Sequence, residues 1–556
     1  MLKKIIIIIS SFLFISTGIK WGLPKDEYKE FFYRNEQEMK LLIEGINKNY
    51  IEKSWQISKT KFLTKLERHR FNIIRSFHPD EENILKSISN MKPEKFDFNP
   101  HFFEYPSFYI YTIAAVLKIL SFLKLIYITS DISFYFENPD QIAKFYLFGR
   151  LITLIFAVLT IFLLCEISEK IKKGSYLITF FLILFSPLFF INSTYMTVDI
   201  PMLFWSILSI FFLIVYFENL KEKFLFLSSM SIGFATGTKY PAIIFWFLIP
   251  IILLLKNLSM KEFLKKSIIS FFITIISFFI TTPYSIFSFN EFKKDFLYQY
   301  TTRGTPNFLF FTSNLKNIIE DLILINGKFI TIFFASIFVF SLFKLKKQIF
   351  IIYIGLFLYF LLLLTTSGFK YARYYLPLYP FIILISSHTI KEIEKIRKLK
   401  FLIYFVFISV ISLNLLKTVS IIQLRLSEDT RIISAHYIDK NLKEKTKIVF
   451  LKSPWIFEVC PVNFFKYNIT IVEKEEELTN IPDNSYLVIG ELQYFLTKNS
   501  RNKIENEIIK KMESYGFSLI KKFEKEPFLF KQDKIIHDML YVCPKIFLFY
   551  KNEQNV

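Results

Sequence analysis

The feature that most constrains this chain is a succession of apolar runs close to the length that crosses a bilayer. Residues 151–165 and 349–366 are two of them. A helical span needs ~20 residues to cross ~30 Å of hydrocarbon. In lipid, every backbone N–H and C=O must be satisfied within the structure, so runs of this length read as helices. The chain has 556 residues, and 53% of them are hydrophobic. A soluble fold has no use for so many long apolar stretches. The fold class is therefore a polytopic α-helical membrane protein.

The net charge is +21. In a soluble protein that balance points to nucleic acid. Here the positions of the charges give another reason. Spans read at 4–20, 143–165, 176–193, 200–217, 223–238, 240–255, 267–283, 328–343, 349–366, 374–388 and 400–416, about eleven in all by length. The loops on one side then carry "EKIKK", "ENLKEK", "KNLSMKEFLKK", "KLKK" and "KEIEKIRKLK", together with Lys3 and Lys4. The loops "STYMTVD" and "TSDISFYFENPD" on the other side hold no Lys or Arg. Basic residues hold cytoplasmic loops in place, so the N-terminus is expected inside and no nucleic-acid partner is implied. The location is a cell membrane (inner or plasma), crossed many times. The region 223–255 is where a single kinked span would change the parity.

Two segments need separate treatment. The N-terminus "MLKKIIIIISSFLFISTGIK" has the basic start and apolar core of a signal peptide, but no convincing small-x-small cleavage site. It reads as an uncleaved first span. Residues 107–127 are apolar but include Lys118 and Lys124. A lysine at the bilayer centre costs at least ~2.5–3.5 kcal/mol on insertion scales. A juxtamembrane helix lying in the interface keeps both amines in water, and it also preserves the charge asymmetry of the later loops.

This topology places an outer loop 21–141, Asp199, the loop around 284–327 and everything after about residue 417 on the outer face. Within that loop, residues 26–68 are charged with scattered apolar positions and read as surface helices. Domain one is then 1–416. Domain two, 417–556, alternates short apolar runs ("KIVFL", "YLVIG", "KIFLFY") with charged helical stretches ("KEEELTN", "RNKIENEIIKKMESYGF"). That pattern reads as a small α/β domain. Cys460 and Cys543 lie in it, free to pair if it is oxidised, although two cysteines prove no bridge.

The chemistry-bearing candidates cluster on the outer side. Asp80 and Glu81 stand in "SFHPDEENIL". Pro79 and the acids make a good helix start, so capping is one reading of the pair; a general base is the other. Asp199, in "NSTYMTVDIP", is a helix cap or faces a cavity. Lys239 in "GFATGTKYP" and Arg373 in "KYARYYLPLYP" either snorkel to headgroups or clamp a phosphate. Arg150, deep in "FGRLITL", is paired or functional. His78, His101 and Glu104 flank the acidic pair and read first as local structure. No P-loop and no Cys/His zinc pattern is present.

The order of these motifs resembles the GT-C superfamily of integral-membrane glycosyltransferases, in its family 39-like, protein mannosyltransferase-related, prokaryotic branch. The likeness rests on "HPDE", "NPHFFEYPSFYIY", "YLFGRLITLIFAVLTIFLL", "SPLFFINSTYMTVDIPMLF", "GFATGTKYPAIIF" and "RYYLPLYPF". It continues through "SEDTRIISAHYIDKNL" and "HDMLYVCPKIFLFY" in the tail. The resemblance implies inverting transfer of a sugar from a polyprenyl-phosphate donor at the outer leaflet to a glycan, lipid or protein acceptor. Asp80, in the family's Asp-Glu pair with Glu81, would be the general base. Asp199 would line the same cavity, and Arg373 and Lys239 would hold the lipid phosphate. Arg150, His101 and Glu104 complete the substrate-binding candidates. Oligosaccharyltransferase relatives use a divalent metal while the mannosyltransferase branch does not need one, so the resemblance leaves Mg or Mn open as a cofactor, with no residue assigned to it. A long polar insert before the Asp-Glu pair and the soluble tail depart from the eukaryotic mannosyltransferases, and protein O-mannosylation is not carried over.

Two other classes fit the same bulk features. A transporter or lipid flippase would show related halves with broken helices, and no such symmetry is visible. A non-catalytic scaffold would use the acids only as caps.

Overall fold

The computed structural model describes residues 2–51, 70–256, 258–302, 311–343, 347–366, 370–494, 501–529 and 539–552. The chain is mainly helical and divides into two compact units, each built from three segments. The first unit comprises Met1–Ile19, Asn83–Ile119 and Gly149–Thr418; the second comprises Lys20–Glu82, Leu120–Phe148 and Val419–Val556.

In the first unit, every expected span falls on helical structure, but several are broken. Among the described residues, four helices are long and apolar enough to cross a membrane, beginning at Pro139, Asp199, Met260 and Arg397. A fifth span forms if the bent pair Thr312–Asn326 and Lys328–Leu342 counts as one. The other expected spans are shorter, and the chain shows why. Pro187 starts a new short helix after Tyr176–Leu184, capped by Ser186. Residues 240–255 run as a 3-10 helix, Tyr240–Phe247, into Leu248–Leu254. Pro377 lies in the 3-10 helix Ala372–Leu378, ahead of Tyr379–Ile393. Proline removes a backbone donor and clashes with the preceding turn, so long helices break there. The bend of 118° between the paired helices falls at Gly327, whose φ of +85° suits a residue without a Cβ. The helix Phe108–Phe122 spans 15 residues, about 22 Å at 1.5 Å per residue, less than the hydrocarbon thickness. Lys118 on it is exposed.

Close helix approach builds the centre of this unit. Gly233 and Gly237 lie four residues apart at the end of Glu222–Thr236, against Met260–Thr281. A Cβ on Gly233 would strike Ser277 and the Thr274 carbonyl; one on Gly237 would strike the Thr281 side chain. Small residues at this spacing let membrane helices pack backbone to backbone. The Gly237 carbonyl accepts from the Phe108 amide at 2.9 Å.

The second unit contains a five-stranded sheet ordered β2-β1-β3-β5-β4, with β1 Lys447–Leu451, β2 Asn468–Val472, β3 Ser485–Gly490, β4 Phe517–Phe523 and β5 Ile546–Lys551. β1 runs parallel to β2 and β3, and β5 runs antiparallel to β3 and β4. Three of these strands are the apolar runs read from the sequence. They occupy the middle of the sheet, where both faces are covered and a strand reads as continuously hydrophobic. Helix Arg501–Ser514 buries Ile504, Ile508 and Met512 along one face. The expected surface helices appear as Asp26–Phe31 and Glu36–Ile51; the remainder of that stretch, 52–68, lies outside the described residues. Cys460 and Cys543 are separate thiols. Burial pushes each of them up to about 12.

Candidate functional site

The first unit brings together three of the residues expected at a site. Asp199 opens helix Asp199–Asn219, where the N-terminal dipole favours an anion, and it is buried. Lys239 follows the glycine-packed helix end in an extended conformation and donates from Nζ to Asp199 Oδ1 at 2.6 Å. The Lys239 ammonium also lies 5.1 Å from the centroid of the Tyr374 ring. Arg373, in the 3-10 helix Ala372–Leu378, stacks its guanidinium 4.3 Å over Tyr371 and lies 5.7 Å from the Tyr374 ring. One tyrosine ring thus serves two cations, beside a buried carboxylate. Cations are attracted to the negative face of such a ring, more strongly where water is excluded.

Helix Phe311–Asn326 fixes the segment that carries Arg373. Asn314 donates to the carbonyls of Leu364 and Thr366 at 2.8 and 2.9 Å. Asp321 accepts from the Tyr375 hydroxyl at 2.5 Å, and Asn326 from Tyr379 at 2.7 Å. The Tyr359 hydroxyl donates to the Tyr374 carbonyl at 3.2 Å. The turn is therefore held on both sides of Arg373.

His101 and Glu104 are placed differently. Helix Phe289–Thr302 presents Glu291, Asp295 and Gln299 at four-residue spacing, one face of a helix. His101 Nδ1 meets Glu291 Oε2 at 2.9 Å, the Phe103 amide donates to Asp295 at 2.9 Å, and Gln299 donates to Glu104 at 2.6 Å. Both residues anchor the 98–108 segment along that strip. Arg150 is buried and donates to the Ile19 carbonyl at 2.6 Å, with its guanidinium 6.0 Å from the Tyr195 ring. It ties the turn after the first helix to Pro139–Ile171.

Asp80 and Glu81 belong to the second unit. Glu81 is the first residue of helix Glu81–Ser89 and is fully buried; its carboxylate accepts from Ser76 Oγ at 2.5 Å. The Asp80 amide donates to His78 Nδ1 at 3.3 Å, and the Asp80 side chain is only partly covered. Glu81 is thus held by structure, whereas Asp80 stands in the turn before the helix. Among the described residues, no group of three or more His, Cys, Asp or Glu is placed to hold a metal ion.

The sequence reading did not single out the tyrosines. Tyr371 and Tyr374 lie in the quoted "KYARYYLPLYP" stretch, but only the fold shows that one ring lies beside both Lys239 and Arg373. Glu291, Asp295 and Gln299 lie in the stretch 284–327 that the sequence reading took only as an outer loop.

Residues 97–297 match the family described as dolichyl-phosphate-mannose-protein mannosyltransferase. This stretch of the chain is similar to that mannosyltransferase family. The matched segment contains Arg150, Asp199 and Lys239, with His101 and Glu104 near its start; Asp80, Glu81 and Arg373 fall outside it. The match favours a membrane glycosyltransferase over the transporter and scaffold readings. The chain matches none of the curated proteins. Among solved structures, it is similar to ArnT from Cupriavidus metallidurans bound to undecaprenyl phosphate, at 10% identity and TM-score 0.43, over 98% of this chain and 97% of that one. The apo form of that protein gives 11% identity and TM-score 0.41, over 86% and 94%. The Archaeoglobus fulgidus oligosaccharyltransferase, in complex with zinc and sulfate, gives 12% identity and TM-score 0.36, over 82% and 68%.

Proposed function

We propose that this chain is a membrane glycosyltransferase that moves a sugar from a polyprenyl-phosphate donor to an acceptor hydroxyl or similar group at the outer face of the cell membrane, with inversion at the anomeric carbon. The N-terminus is cytoplasmic and the C-terminal portion extracytoplasmic in this reading. The observation that carries the donor assignment is the match of residues 97–297 to a family whose description names a dolichyl-phosphate sugar. The pairing of Lys239 and Arg373 about Tyr374 supports it, because a polyprenyl-phosphate donor presents an anion that needs cations at an interface.

The chemistry is a single displacement. The acceptor oxygen bonds to the anomeric carbon, the bond from that carbon to the phosphate oxygen breaks, and polyprenyl phosphate leaves with the bonding pair. Asp80 takes the acceptor proton. Lys239 and Arg373 offset the charge that grows on the phosphate, the kind of preorganised electrostatic term that dominates many enzyme accelerations. Asp199 holds Lys239 in position. The role of Asp80 rests on the motif order and on its partly uncovered place before the helix; Glu81, buried on Ser76, shapes the turn.

The test is release of polyprenyl phosphate from a pool of labelled polyprenyl-phosphate sugars by the purified full-length chain in lipid. Time-dependent release coupled to sugar transfer supports the reading. Binding of the lipid with no release, across acceptors of glycan, lipid and protein classes, would overturn it.

A further inference from the structure

Phe77 lies three residues before Asp80, and the second unit grips it from two sides. On one side its amide donates to the Gly22 carbonyl at 2.8 Å. Gly22 has a φ of +64°, and a Cβ there would lie 2.8 Å from Phe77 Cβ, so only glycine permits the approach. On the other side the Arg431 guanidinium lies 4.0 Å over the Phe77 ring.

Arg431 is itself fully buried and its side chain makes four hydrogen bonds. Nε and Nη2 each reach Asp429 at 2.7 Å, a two-point contact with one carboxylate. Nη1 donates to the Phe457 carbonyl at 2.7 Å and Nη2 to the Tyr541 carbonyl at 2.8 Å. Asp429 also accepts from Trp21 Nε1 at 3.1 Å. Burial alone would raise the Asp429 carboxyl, but the Arg431 charge and hydrogen bonds outweigh it and hold the group below the ordinary carboxylate range. The His78 ring meets Tyr541 edge-on at 5.1 Å. Between Phe77 and Asp80 stand only His78, so anchored, and Pro79, whose φ is fixed.

We propose that the Asp429–Arg431 pair of the C-terminal portion is a positioning device for Asp80, acting through Phe77 and His78; this rests on the assignment of Asp80 as the base. The soluble tail is then part of the catalytic apparatus. A bidentate, stacked arginine suits the task because its planar fork fixes direction as well as charge. A base displaced by about 1 Å loses on the order of 100-fold in rate.

The experiment compares full-length wild type with Arg431→Gln, Arg431→Lys, Trp21→Phe and Asp80→Asn. It measures transfer from labelled polyprenyl-phosphate sugars and hydrogen exchange at the amides of Phe77, His78 and Asp80. For Arg431→Gln, kcat falls on the order of 100-fold with donor KM little changed. The three loop amides exchange faster, and those of β1 and β3 stay as protected as in wild type. Arg431→Lys recovers part of the rate. Unchanged loop exchange would overturn the clamp, and faster loop exchange with wild-type kcat would overturn positioning. If Arg431→Gln also exposes β1 and β3, Trp21→Phe decides by the same two criteria, because it deletes one hydrogen bond to Asp429 and keeps the ring. Wild-type rates from Asp80→Asn would instead remove the base assignment, whatever the loop does.

Discussion

Lys239 and Asp199 meet at 2.6 Å, with little of either side chain exposed. Forty positions apart in sequence, they are joined because the helix ending at Thr236 packs through glycines against Met260–Thr281 and delivers Lys239 to the start of Asp199–Asn219. Breaking one half of a buried pair leaves the other charge uncompensated, at a cost of about 3–5 kcal/mol. Lys239→Met is therefore expected to lower the thermal midpoint of the purified chain sharply. Adding Asp199→Asn should restore part of that loss, giving a favourable coupling in a double-mutant cycle.

Arg373 does more than supply charge, since its plane stacks on Tyr371. Arg373→Lys keeps the charge but loses the planar stack. It is expected to raise donor KM by about 10-fold, the scale of a desolvated cation–π contact with its hydrogen bonds. Arg373→Met should lower kcat as well. Steady-state kinetics at varied donor concentration separates the two.

Gly233 tests the packing that sets up the site. Its missing Cβ would overlap both the Ser277 side chain and the Thr274 carbonyl. Gly233→Ala is expected to destabilise the membrane unit by about 1–3 kcal/mol, as overpacking does. Ser277→Gly in the same chain should recover only part of this, because the Thr274 contact is to backbone. Thermal unfolding of the three variants checks the order.

The tail carries its own pH signature. Burial pushes Glu458 up from its ordinary 4.5 to about 7, against the hydrogen bond from the Trp455 amide and the charges of Arg70 and Lys452. A carboxylate raised on folding binds more protons in the folded state, so stability falls as pH rises from about 4.5 to about 7. Glu524 acts in the opposite sense. Burial pushes it up too, but Lys522 and Lys545 outweigh that and bring it down to about 2. Its contribution is present above about 4.5 and is lost as pH falls toward about 2. Exchange of the β1 and β3 amides, compared at each pH between wild type and Glu458→Gln, should show the difference growing with pH above about 4.5 and levelling off above about 7.

What the sequence disclosed follows from which interactions are local. Apolar runs marked the membrane helices and the three inner strands, because burial on all sides leaves a continuous signal. β2 and β4 were missed because edge strands mix polar and apolar positions: β4 reads "FSLIKKF". Pro187 and Pro377 divide two of the expected spans into shorter helical pieces, a break that the apolar runs alone did not mark. Asp199, Lys239 and Arg373 were legible as charges at odds with their surroundings. Tyr374, the ring that relates the two cations, carried no such signal. Asp429 and Arg431 lay in a quoted tail motif, yet their bearing on Phe77 depends on a contact across more than 350 positions that no spacing rule reveals.

The most direct measurement is sugar transfer by the purified full-length chain, wild type beside Asp80→Asn, from a labelled pool of polyprenyl-phosphate sugars. The account predicts transfer with inversion by wild type and a rate lower by about 100- to 10,000-fold in the variant, the usual worth of a general base. Equal rates from both proteins would contradict it.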